Sequence, residues 1–97
     1  MLKIEYSPRF KRDYKKLIRK HKRIELLDHV IRLIAADNEA SNNELLTHHN
    51  MHALKGNWAG ANECHVANFG DWLLVWKVAN GVAYLVRTGT HDEIFRQ

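Results

Sequence analysis

One cysteine, one proline and five glycines are all that this 97-residue chain holds of those three residue types. A lone thiol supports neither a disulfide framework nor a thiolate metal cluster. Cys64 reads as a small core residue beside a strand rather than as a reactive nucleophile. No phosphate-cradling glycine pattern follows a strand, and no glycine-flanked elbow surrounds Ser7 or Ser41, which excludes the usual nucleotide-loop and serine-nucleophile readings. No apolar run approaches the roughly 18–20 residues of a bilayer span, so no membrane partner is expected. The opening Met-Leu-Lys-Ile-Glu-Tyr-Ser-Pro resembles a strand entering a turn and has no signal-peptide core, so a cytoplasmic protein is expected. Linkers, repeats and low-complexity tracts are also missing, and residues 1–97 read as one domain.

Acidic residues are scarce at the front of the chain. Residues 1–23 carry ten Lys and Arg against Glu5 and Asp13, a local balance of +8, while the remainder carries five basic and nine acidic side chains, a balance of −4. Such a segment attracts polyanions. It also suits a solvated helix face whose lysine stems cover apolar surface, and composition alone does not separate the two.

Leu2 to Tyr6 alternates as a short half-buried strand. Ser7-Pro8 then opens a helix, since serine caps free N–H groups and proline suits the first turn. Phe10, Tyr14, Leu17 and Ile18 make its apolar stripe. A second stripe, Ile24, Leu27, Val30, Ile31 and Ile34, follows from about Lys22 to Asp37. A single helix through both would be long for so small a domain, and it would put His21 and Asp28 at apolar positions, so the expected form is a helical hairpin breaking near Lys20 to Lys22. Asp37 to Asn43 reads as a polar turn, with Leu45 and Leu46 on at most a helical turn. Thr47 to Gly60 reads as an irregular crossing into a strand near Asn62 to Ala67. Two apolar runs, Trp72 to Ala79 and Val82 to Val86, flank Asn80-Gly81, the dipeptide that best fits a tight type I′ hairpin turn. A short C-terminal helical turn closes the chain. The expected class is α+β: an N-terminal strand and helical hairpin packed on a mainly antiparallel sheet.

Seven histidines are many for this length, and His48, His49 and His52 lie within five positions. His48 and His52 are spaced for one helix face, but no glutamate follows a zinc-hydrolase pattern between them, and no metal or other cofactor is expected. The hairpin instead gathers polar groups at one end. His65 and Asp71 precede it, and Arg87 and His91 lie at and beyond its far strand. RNA carries its own nucleophile, the 2′-hydroxyl, so cleavage needs only proton transfer and phosphate stabilisation. Histidines and carboxylates serve the first task, and the fork of an arginine serves the second. His52, His65, Asp71, Arg87 and His91 are therefore the candidate catalytic set. Trp72 and Phe95 are candidates for base stacking, and Lys15, Lys16 and Arg19 for holding the flanking strand. The plainer alternative is an Asp71–Arg87 ion pair across the hairpin with His65 as a hydrogen-bonded edge residue.

The blocks His52-Ala-Leu-Lys-Gly-Asn-Trp58, Glu63-Cys-His-Val66, Asp71-Trp72 and Arg87-Thr-Gly-Thr-His91, with Phe95 beyond, resemble the YafQ-type toxins of the RelE/ParE superfamily, members of bacterial type II toxin–antitoxin pairs. The resemblance runs from the first strand through Phe95. It departs in two places: Ala53 stands where a proline usually follows the first histidine, and the loop Ala67 to Gly70 is longer. It implies a RelE-like microbial ribonuclease-type fold and endoribonuclease cleavage of mRNA on the ribosome. It further implies that His52, His65 and Asp71 take base and transition-state roles, that Arg87 stabilises the phosphate, that His91 protonates the leaving oxygen and that Phe95 positions substrate. The implied partners are a cognate antitoxin, the ribosome and mRNA, with operator DNA reached only through the antitoxin complex. A gyrase poison of the ParE type and a small basic RNA-binding module are the competing readings.

Overall fold

The structure is a computed structural model and describes residues 1–96. Its elements in order are β1 (Lys3–Tyr6), α1 (Pro8–Arg19), α2 (Ile24–Ala36), α3 (Glu39–His48), β2 (His52–Ala53), a 3₁₀ turn (Gly56–Trp58), β3 (Asn62–His65), β4 (Leu73–Ala79), β5 (Val82–Gly89) and α4 (His91–Phe95). The five strands form one sheet in the order β1-β5-β4-β3-β2. β1 runs parallel to β5 and every other pairing is antiparallel, as the α+β expectation requires.

Local chemistry explains most boundaries. Ser7 accepts a hydrogen bond from the Phe10 backbone N–H, and Pro8 fills the first helical position of α1. The break between α1 and α2 falls at Lys20 to Arg23, where His21 adopts a left-handed φ of 57°. Asn80 and Gly81 take φ of 53° and 78°, the two positive values of a type I′ turn, and join β4 to β5.

The expected turn over Asp37 to Asn43 is overturned from Glu39 onward by α3. Asp37 ends α2 in a left-handed conformation, and Asn38 and Ser41 then cap α3 reciprocally, each side chain accepting from the other's backbone N–H. Asn and Ser serve turns and N-caps through the same side-chain-to-backbone bonds, so composition did not separate the two outcomes. The helical hairpin is thus a three-helix layer. The crossing segment from Thr47 to Gly60 also contains more order than expected, because His52 and Ala53 pair with Glu63 and Asn62 as a short edge strand.

The sheet has two apolar faces. Phe10, Leu17, Leu27, Val30, Ile34 and Leu45 from α1–α3 pack on Cys64, Leu74, Trp76, Ala83 and Leu85. Ile18, expected in the α1 stripe, is instead 52% exposed. The opposite face carries a smaller cluster, Ala61, Leu73, Val75 and Ile94, against which Leu54, Trp58, Val86 and Phe95 pack. Cys64 is fully buried, and burial pushes its thiol far up, so it is an inert core residue. Between β4 and β5, Val75 pairs with Arg87 but Trp76 pairs with Leu85, which leaves Val86 as an extra residue. This bulge immediately precedes the Arg87 to His91 block.

Candidate active site

β2 and β3 build one half of the site. His52 and Glu63 are cross-strand partners, and His52 Nε2 lies 3.1 Å from Glu63 Oε2. The other ring nitrogen of His52, Nδ1, lies 2.8 Å from the Asn50 carbonyl. A carbonyl only accepts, so Nδ1–H donates there and Nε2 is left to share a proton with the carboxylate. The Glu63 side chain is 5% exposed and that of His52 is 44% exposed, so the carboxylate is a buried anchor and the imidazole the accessible group. Alternation puts His65 on the same face of β3 as Glu63. The His65 backbone N–H donates to the His49 carbonyl at 2.7 Å.

α4 builds the other half. Thr90 and Glu93 form a reciprocal cap: Thr90 N donates to Glu93 Oε1 at 2.9 Å, and Glu93 N donates to Thr90 Oγ1 at 3.1 Å. Gly89 makes room for this carboxylate, since a Cβ there would lie 2.8 Å from Glu93 Oε1. The cap fixes the first helical residue, His91. Asp71 then accepts twice from it, from Nδ1 at 2.7 Å and from the backbone N–H at 3.1 Å. This sets the ring's tautomer and direction and frees Nε2 for proton exchange. The His91 ring lies 6.2 Å from that of His65 and 6.2 Å from that of Phe95. Phe95 in turn meets Trp58 edge-on at 5.2 Å. The longer loop before Asp71 does not remove its carboxylate from the cluster.

Beside Asp71 opens a cleft of about 890 Å³. α1 and the α1–α2 turn line it with Arg9, Arg12, Lys16, Arg19, Lys20, Lys22 and Arg23. Phe69, Trp72, Arg87 and Glu93 also line it. Asp71 therefore stands both at the rim of a basic cleft and against the His91 ring. Arg87 does not pair with Asp71. Its Nε donates to Asp13 Oδ2 at 2.8 Å and its Nη2 to Asp13 Oδ1 at 3.3 Å, and both side chains are nearly buried. The Thr88 backbone N–H adds a third donor to Asp13 at 3.1 Å.

The structure thus brings His65, Asp71, His91 and Phe95 together, and pairs His52 with Glu63, which shares a face of β3 with His65. Arg87 is directed to the cleft side by α1. The expected basic group divides: Lys16 and Arg19 line the cleft, whereas Lys15 lines a separate concavity with Tyr6, Phe10 and Tyr14. Lys16 is also tied to Glu93, and that bond, with the Thr90 N–H second, holds the Glu93 carboxyl down at about 2. Trp72 lines the cleft but donates its indole N–H to Thr88 Oγ1 at 3.0 Å. His48 and His52 do not form the metal pair their spacing allowed. Among the described residues the metal-capable group is His29, Glu44 and His49, which shares no side chain with this cluster but meets the backbone of His65 through His49.

Three residues at or beside the site were not among the candidates drawn from the sequence. Glu63 was legible as the i−2 neighbour of His65 on one strand face. Asp13 was one of two acids in a basic segment, but its partner is far along the chain. Phe69, 66% exposed at the cleft, falls in the loop Ala67 to Gly70, which the sequence marks only by its length.

Comparison with known proteins gives these features a family. Residues 2–96 match the model of a bacterial toxin of type II toxin–antitoxin systems, YafQ. The chain is 32% identical to the mRNA interferase toxin YafQ of Escherichia coli K12 over 94 residues, covering 95% of this chain and 94% of that one. A metal-bound toxin from Helicobacter pylori superposes with a TM-score of 0.83 at 33% identity, covering 98% of this chain and 100% of the other. The E. coli DinJ–YafQ toxin–antitoxin complex contains a chain that superposes with a TM-score of 0.77 at 31% identity, covering 97% of each. The chain that folds a basic cleft against a histidine–aspartate cluster belongs to the YafQ family of type II toxin–antitoxin toxins.

Proposed function

We propose that this protein is a metal-independent endoribonuclease that cuts mRNA on the ribosome and so stops translation. The observation that carries the reading is the Asp71–His91 pair at 2.7 Å, set where the basic cleft meets His65. RNA lying along α1 presents its backbone to the cleft cations, and Phe69 and Phe95 offer faces for a base. A base removes the 2′-hydroxyl proton, the 2′-oxygen bonds to phosphorus, and the bond from phosphorus to the 5′-oxygen breaks. His91 delivers a proton to that oxygen from Nε2 while Asp71 supports the ring through Nδ1. The products are a 2′,3′-cyclic phosphate and a 5′-hydroxyl end. Asp71 is engaged by His91, so the base is drawn from His65 and the His52–Glu63 pair. Arg87 places two of its five N–H donors on Asp13, which aims the guanidinium and leaves the remaining donors for the phosphorane.

The E. coli relative is found with its antitoxin DinJ. A cognate antitoxin is the corresponding partner here, contacting operator DNA only in that complex, in the cytoplasm. His91→Ala tests the assignment. The variant is expected to keep its fold and lose both growth arrest and mRNA cleavage on expression. Unchanged toxicity would remove His91 from the mechanism. Cleavage by the wild-type protein is expected to survive EDTA.

A further inference from the structure

We infer that His29, Glu44 and His49 form a binding site for a zinc-class divalent transition ion, separate from the ribonuclease cluster. The site spans three pieces of structure: His29 projects from α2, Glu44 from α3, and His49 is the residue that caps the end of α3. One ligand atom from each lies within 4.8 Å of the other two. His29 Nε2 and Glu44 Oε2 are already 2.8 Å apart, and the His29 and His49 rings are 6.3 Å apart. Tetrahedral zinc binds imidazole nitrogen and carboxylate oxygen at about 2.0–2.2 Å, so small side-chain rotations admit an ion with a fourth position open to water. Two imidazoles and one carboxylate select this class over calcium or magnesium, which favour oxygen ligands.

The second observation concerns His49. Its Nδ1 lies 2.8 Å from the His65 carbonyl, which only accepts. Nδ1 therefore carries the proton, and Nε2 keeps a lone pair for a metal. Imidazole ligands in metal sites commonly have this arrangement, with the second nitrogen donating to a carbonyl or carboxylate. The His49 carbonyl accepts from the His65 backbone N–H at 2.7 Å, so His49 grips His65 at both backbone groups. An ion on His49 would fasten α2 and the end of α3 to the strand that carries His65.

The test is a calorimetric titration of zinc chloride into the tag-free chain carrying His52→Ala and His91→Ala, which disables the ribonuclease cluster. One equivalent is expected to bind and to raise the melting temperature. Adding His29→Ala, an exposed position, is expected to lower affinity at least about 100-fold and abolish the thermal shift. Glu44→Gln serves as the second ligand variant and removes the charge with little change in shape. No zinc binding before His29→Ala, or undiminished binding after it, overturns the site. Binding that appears only when His52 and His91 are intact assigns the ion to the ribonuclease cluster and overturns it equally.

Discussion

Asp13 sits in the most basic part of the chain, and its removal gives the sharpest test of how Arg87 is held. The carboxylate accepts from Arg87 Nε, Arg87 Nη2 and the Thr88 backbone N–H, with side chains of Asp13 and Arg87 only 11% and 12% exposed. Asp13→Ala leaves a nearly buried guanidinium without its counter-charge, a change that typically costs about 3–5 kcal/mol. The orphaned Thr88 N–H overlaps with that cost and does not add in full. For a domain of this length each kcal/mol moves the melting temperature by about 4–8 °C, so a loss of about 12–40 °C is expected. Urea unfolding should show a lower midpoint at an unchanged slope. Arg87→Met in the same background removes the stranded charge and is expected to recover about 2 kcal/mol. That double variant should fold yet fail to cleave RNA. A loss below about 1 kcal/mol for Asp13→Ala would mean the pair behaves as an exposed one, and the argument from burial fails. Cleavage by the double variant at the wild-type rate would remove Arg87 from the chemistry.

Other perturbations address α4 and its cap. Asp71→Asn keeps the size of the side chain but can present its amide to His91 Nδ1; a loss of cleavage of about 10²–10³-fold is expected, with KM little changed, smaller than for a buried triad aspartate because this pair is half exposed. Equal kcat in the two proteins would show that the His91 ring is oriented without Asp71. Gly89→Ala brings a methyl group to 2.8 Å from Glu93 Oε1 at a φ of +153°, and is expected to cost about 1–3 kcal/mol and to lower cleavage by disturbing the cap that starts α4. Wild-type stability in that variant would refute the close-approach argument. Glu93 is held at about 2 against an ordinary 4.5, so its contribution is present above about pH 4.5 and lost as pH falls toward about 2. Fully protected, that depression would correspond to about 3 kcal/mol, but Lys16 is 47% exposed and screening reduces the expected share to about 1 kcal/mol. Lys16→Met should flatten the acid limb of the stability curve by that amount, and parallel curves for the two proteins would reject the assignment.

Elements whose cause is local were legible. Ser7-Pro8 and Asn80-Gly81 announce themselves because the capping hydroxyl and the positive φ values act within four residues. The ends of the hairpin were legible too, which is why the sequence groups His65, Asp71 and His91, although Arg87, grouped with them, is drawn to Asp13. α3 was hidden because Asn38 and Ser41 offer the same bonds to a turn as to a helix start. Asp13 escaped notice because its partner Arg87 is 74 positions away, a distance no local pattern spans. Glu63 was the avoidable omission, as a strand-face neighbour of a residue already chosen.

β1 pairs with the last strand of the sheet. The Ser7 hydroxyl reaches the Val86 carbonyl across 79 positions, and Ile4 lies opposite Ala83. At translation rates of about 5–20 residues per second, the first strand waits about 4–16 s for its neighbour to be made. During that interval the basic α1 can form, but the Asp71–His91 pair cannot, because His91 has not yet been added. Synthesis from the N-terminus therefore delays assembly of the Asp71–His91 pair until β5 and the start of α4 have both been added, a timing set by the place of His91 in the sequence.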